Sequence, residues 1–159
     1  MFVSRSMTES VITVKPEDDI LQAQKLIVEN KIRHLPVVDA ENKLVGIITD
    51  RDIRSALPDT VLKLLDCTDE DIQRIRSLKV RDVMHPDPIS LSPADSIEDA
   101  LVIIQQEKIG ALPVVDQDHR LKGILSTRDL LRSFINVLGI NEPGTLLGIL
   151  AENKQGQMK

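Results

Sequence analysis

At 159 residues, with 42% hydrophobic and 28% charged side chains, the chain is long enough to bury a core and too apolar to be disordered. A net charge of −5 and the absence of Trp and Tyr, which leaves Phe2 and Phe134 as the only rings, argue against a nucleic-acid reader, which needs cations for phosphates and aromatic faces for bases. No apolar run reaches the roughly 20 residues that span a bilayer, the N-terminus lacks a charged-then-apolar leader pattern, and Cys67 stands alone, so a soluble cytoplasmic protein is expected.

Residues 11–14, Val-Ile-Thr-Val, form a β-prone run closed by Lys15-Pro16. Asp18 and Asp19 put negative charge ahead of a helix that carries Ile20, Ala23 and Ile27 on one face. A strand over 34–39, a polar turn through Glu41-Asn42-Lys43 and an apolar strand over 44–48 read as a hairpin. A helix beginning near Asp50 runs to about Leu57, where Pro58 interrupts it.

Sliding the chain by 77 positions lays 3–57 on 80–134 without a gap. Roughly twenty of about fifty-five aligned positions are identical, far beyond chance for a fixed offset. Met7 falls on Met84, Pro16 on Pro93, Ala23 on Ala100, the run Leu35-Pro36-Val37-Val38-Asp39 on Leu112-Pro113-Val114-Val115-Asp116, Gly46 on Gly123 and Arg51-Asp52 on Arg128-Asp129. Two such units are expected to pack on each other.

Between them, residues 58–79 are acidic in the middle, with Ile72, Ile75 and Leu78 at regular spacing, and read as a partly helical connector. After Phe134, residues 139–144 are rich in turn formers, and Thr145 to Glu152 reads as a strand.

In each unit the last apolar strand stops at a hydroxyl residue, Thr49 or Ser126, followed three positions on by Asp52 or Asp129. Such a strand-to-helix junction can cradle a nucleotide, the hydroxyl donating to a phosphate and the carboxylate accepting from sugar hydroxyls. The same spacing also fits a capping box, which needs no ligand. His34, His85 and His119 lack metal-ligand spacing, Cys67 has no nearby partner, and no Gly-rich loop of the Walker or dinucleotide type occurs, so neither catalysis nor a required cofactor is expected.

The Val-x-x-x-Met opening, the Leu-Pro-Val-Val-Asp strand and Gly-Ile-x-[Ser/Thr]-x-x-Asp before the last helix resemble the cystathionine-β-synthase (CBS) domain; two in tandem resemble the adenosine-sensing Bateman module. The resemblance implies an α/β fold of two β-α-β-β-α units about a pseudo-twofold axis. CBS domain 1 is 3–57, the connector 58–79, CBS domain 2 80–134, and 135–159 a linker with the opening of an ACT domain, an order similar to the bacterial acetoin-utilisation family.

The resemblance further implies one adenine-nucleotide site per repeat, for AMP, ADP, ATP or S-adenosylmethionine, in a regulatory homodimer. Asp52 and Asp129 would take the ribose hydroxyls, Thr49 and Ser126 the first phosphate, and Ile12-Thr13 and Ile89-Ser90 the adenine. Arg51 and Arg128 would lie near the ligand, the alternative being solvated helix-surface cations. Arg33 and His34 would add phosphate donors to one site, while Gly110-Ala111 leaves room in the other, giving two unequal sites. A ligand-free scaffold in which the aspartates only cap helices, and a regulatory fragment of a larger enzyme, remain the rival readings.

Overall fold

The computed structural model describes residues 1–57 and 69–139. A 3-10 turn at Val3–Arg5 is followed by α1 (Ile20–Asn30), β1 (His34–Val38), β2 (Leu44–Thr49), α2 (Asp50–Ala56), α3 (Asp69–Ser77), α4 (Val80–Val83), β3 (His85–Pro86), α5 (Ile97–Glu107), β4 (Ala111–Val115), β5 (Leu121–Ser126) and α6 (Thr127–Val137). Residues 58–68, with Cys67, and 140–159, with the strand expected near Thr145, lie outside the described residues.

Each unit is built on an antiparallel hairpin, β1 with β2 and β4 with β5, in matching register: Leu35 faces Ile48 as Leu112 faces Leu125. Asp39 and Asp116 shape the turns, each offering Oδ1 to two backbone amides: Glu41 and Lys43 in one, Asp118 and Arg120 in the other. The strand expected over 11–14 shrinks to Val14, whose amide donates to the Pro36 carbonyl at 3.2 Å and whose carbonyl accepts from the Val38 amide at 2.9 Å. Leu91 repeats this against Pro113 and Val115. Both runs are short because only one residue lies alongside the hairpin; Val11 packs instead into the seam between the units.

That seam holds Val38, Leu44, Val115 and Leu121. The hairpin turns cross there, the Leu44 amide donating to the His119 carbonyl and the Leu121 amide to the Asn42 carbonyl, each at 3.0 Å. Asn42 and His119 both sit at φ 63° to make these turns.

The opening segment of each repeat is seated in the other unit. Val3, 0% exposed, belongs to the second core with Leu91, Ala100, Leu112, Val114, Leu125 and Leu130. Val80 belongs to the first core with Val14, Ile20, Ala23, Ile27, Leu35, Ile48 and Ile53. Beyond these anchors, β3 pairs with β2, Ile47 opposite His85, and Thr8 bridges Ile124 in the equivalent place. Met84 lies over Gly46 and Met7 over Gly123, where an added Cβ would come within 2.6 Å of either sulfur. In the stretch read as a connector, α3 packs on α1, with Ile75 buried and Leu78 partly buried against the first core.

Candidate functional site

The two junctions singled out in the sequence have nearly the same geometry. At the start of α2 the Thr49 amide donates to Asp52 Oδ2 at 2.9 Å, the Thr49 hydroxyl donates to the same oxygen at 2.6 Å, and the Asp52 amide donates back to Thr49 Oγ1 at 3.2 Å. At the start of α6 the Ser126 amide and hydroxyl donate to Asp129 Oδ2 at 2.9 and 2.5 Å, and the Asp129 amide returns to Ser126 Oγ at 3.3 Å. Both capping boxes are complete. The cap and the cradle therefore use the same atoms, and a hydroxyl that binds phosphate must rotate away from its aspartate.

The second oxygen of each carboxylate points to the other repeat. His85 Nε2 lies 3.1 Å from Asp52 Oδ1, and the Thr8 hydroxyl donates to Asp129 Oδ1 at 3.3 Å. His85 reads from the sequence as a plain surface residue, and Thr8 carries no signal there; only the crossing of the opening segments brings them to the caps. The 77-residue offset does place Thr8 on His85, so once one contact is known the other follows.

Arg33 stands beside the start of α2, its carbonyl accepting the Asp50 amide at 3.0 Å; Gly110 does the same for Thr127 at 3.1 Å. Arg33, Arg51 and Arg128 are exposed, and none forms an ion pair with a described residue. Ile12, Thr13 and Ser90 are half-buried and Ile89 exposed. They precede the bridging residues Val14 and Leu91, and among the described residues no hydrogen bond joins them to either capped carboxylate. The room expected beside Gly110 is filled: a Cβ there would meet His34 Cε1 and Nε2 at 2.9 Å, so the histidine of the first repeat reaches over the backbone of the second.

Burial holds His34 below its ordinary value of 6.5, and the Arg33 guanidinium adds to the effect against the opposing pull of Asp52. An unfolded chain therefore takes up this proton first on acidification. The stability His34 contributes is whole above about pH 6.5 and is lost as pH falls toward its lower folded value. Burial alone would raise Asp52, but the Thr49 hydroxyl and amide and the His85 ring bring it below the usual carboxylate value. Its contribution is present at neutral pH and lost as pH falls through that lowered value. Asp52→Asn is expected to lower the His34 pKa further, read from its ring-proton NMR titration; an unchanged titration would mean that Asp52 does not act on the ring.

Among the described residues no helix is long and apolar enough to cross a membrane. The CBS-domain profile matches residues 3–59 and 80–136. A CBS domain-containing protein of Dictyostelium discoideum is 32% identical over 138 residues, which span 87% of this chain and 94% of that protein. Among solved structures, CBSX2 in complex with AMP superposes at TM-score 0.72 with 31% identity, over 86% of this chain and 97% of that one. The CBS pair of protein MJ0100, in complex with 5′-methylthioadenosine and S-adenosyl-L-methionine, gives 0.71 and 27% over 86% and 98%. A Vibrio cholerae protein assigned to acetoin utilization (AcuB) gives 0.73 and 29% over 92% and 98%. With two matched repeats spanning most of its length, the chain belongs to the CBS-domain family and is a tandem CBS pair.

Proposed function

We propose that this CBS pair is a regulatory sensor of an adenine nucleotide, works as a cytoplasmic homodimer, and passes its ligand state to an attached domain or partner. The observation that carries the reading is the likeness, at 31% identity over 86% of the chain, to a CBS pair solved with AMP. The site geometry supports it: Asp52 Oδ1 and Asp129 Oδ1 each meet one side chain from the other repeat, which a ribose hydroxyl can replace. Such a ligand would touch both units at once and so favour one arrangement of them, the usual basis of coupling, commonly about 1–3 kcal/mol. Residues 3–57 and 80–134 are taken as the two sensing repeats, and 135–159 as the lead into an ACT-like output domain.

A thermal-shift titration with AMP, ADP, ATP and S-adenosylmethionine tests the reading. At one hundred times its dissociation constant, a ligand specific for the folded state adds about 2.7 kcal/mol. Asp52→Ala and Asp129→Ala are each expected to weaken one site while losing about 0.5–2 kcal/mol of capping. Equal affinity in the double variant and the parent would remove the ribose assignment. The complete capping boxes favour a second reading, a ligand-free scaffold, and no shift with any of the four compounds would select it.

A further inference from the structure

The two capped carboxylates are held from the other repeat by different chemistry. Asp129 Oδ1 accepts from the Thr8 hydroxyl at 3.3 Å and has Arg132 Nη1 at 4.0 Å, a hydroxyl and a guanidinium whose charges are fixed. Asp52 Oδ1 instead meets His85 Nε2 at 3.1 Å, and the position matching Arg132 is Ser55. A carboxylate only accepts, so Nε2 carries the proton in this contact. Imidazole gains its charge between pH 8 and 5, and a charge-assisted hydrogen bond is roughly twice as strong as a neutral one. The His85 side chain is 67% exposed, so it can leave Asp52 for water.

The other charges near the ring leave Asp52 as its partner. The strand β2, on which β3 pairs, carries no charged residue over Leu44–Thr49. On α2, Asp50 is engaged by Arg54 at 2.7 Å and Arg51 is exposed; on β1, Arg33 is exposed and His34, the other ring that feels Asp52, is half-buried. On α4, Arg81 pairs with Glu17 and lies 3.9 Å from Asp82, which also accepts the Lys79 amide, and Asp87 just beyond β3 is exposed. We infer that His85 is a proton-operated guard of the first site: charged, it keeps Asp52 Oδ1, the oxygen a ribose hydroxyl would take, and neutral, it yields that oxygen. The second site, guarded by Thr8, has no such control, so acidification weakens one site and spares the other. Each ligand that displaces the charged ring releases a proton to solvent. The inference rests on the nucleotide reading above and adds to it a regulation of one site.

Calorimetric titration of the whole chain with AMP and with S-adenosylmethionine, at about pH 8 and about pH 6, tests this. Asp129→Ala isolates the first site and Asp52→Ala the second. At the first site the dissociation constant is expected to rise on acidification at least about fivefold more with His85 present than after His85→Gln, which keeps a neutral donor. The ligand's own ionisation is common to both. His85→Thr, which installs the residue the other repeat carries, should match His85→Gln. At the second site the ratio between the two pH values should not depend on residue 85. A first-site ratio unchanged by His85→Gln and His85→Thr overturns the guard and leaves the nucleotide reading standing. A second-site ratio that follows residue 85 overturns the separate control of the two sites. No binding of either compound by the parent at either pH overturns the nucleotide reading and the guard together.

Discussion

Leu112→Ala is expected to cost about 2–5 kcal/mol. Leu112 is 0% exposed in β4, opposite Leu125, and shares its core with Val3, Leu91, Ala100 and Leu130. Truncation would leave a void whose walls come from the hairpin, from α5 and α6, and from the opening turn of the first repeat. Those walls are tied by backbone hydrogen bonds, such as the Val3 amide to the Asp95 carbonyl at 2.9 Å, so they collapse poorly into the space. Urea denaturation should show a lower midpoint at an unchanged slope. Leu35→Ala should behave alike in the first core. Because Val3 and Val80 each sit in the other unit, both variants should lower one shared transition. A Leu112→Ala chain whose first unit melts as in the parent would mean that the crossed segments do not couple the two.

Gly46→Val and Gly123→Val are expected to cost about 1–3 kcal/mol each, and together about twice that, since they share no partner. The cause is space alone, for neither glycine has a positive φ. A Cβ on Gly46 would lie 2.6 Å from Met84 Sδ and 3.1 Å from the His85 carbonyl oxygen; on Gly123 it would lie 2.6 Å from Met7 Sδ and 3.0 Å from the Thr8 carbonyl oxygen. A thioether can swing aside, but the carbonyls belong to the short cross-repeat pairings and can move only if those pairings open. Valine should therefore peel β3 from β2, seen as faster amide exchange at Ile47 as well as lost stability. Parent-like stability in the double variant would mean that these pairings add nothing.

What the sequence announces here is local. Leu-Pro-Val-Val-Asp reads as a strand entering an Asx turn, and Thr49 and Ser126 three residues ahead of an aspartate read as helix starts; both patterns are settled within a few residues of themselves. Pro36 and Pro113 fit inside strands because their carbonyls, rather than the missing amides, pair with Val14 and Leu91. The helix ends were less legible. Lys31 and Lys108 close α1 and α5 in the left-handed region at φ 53° and 54°, a place where glycine is the usual marker. Least legible was the exchange of opening segments. Val3 and Val80 are each apolar enough for either core, and the choice is made by packing across distant parts of the chain, which periodicity does not record. The candidate site inherits this division: its aspartates and hydroxyls were readable, while His85, Thr8 and the reach of His34 over Gly110 were not.

The crossed opening segments also bear on how the protein is made. Translation delivers Val3 and Thr8 ahead of both hairpins, yet the strand that receives Thr8 ends at Ser126. As the chain leaves the ribosome, the first repeat can close its own hairpin, but its N-terminal residues have no partner until nearly the whole described chain has emerged. Until then the groove over Gly46 stays open as well, because Met84 and His85 come only after the connector. A nascent first repeat is thus an unfinished half, its opening segment still without the Gly123 strand that receives Met7 and its Gly46 strand still without Met84. Of the two repeats, the segment made earliest is among the last to find its place.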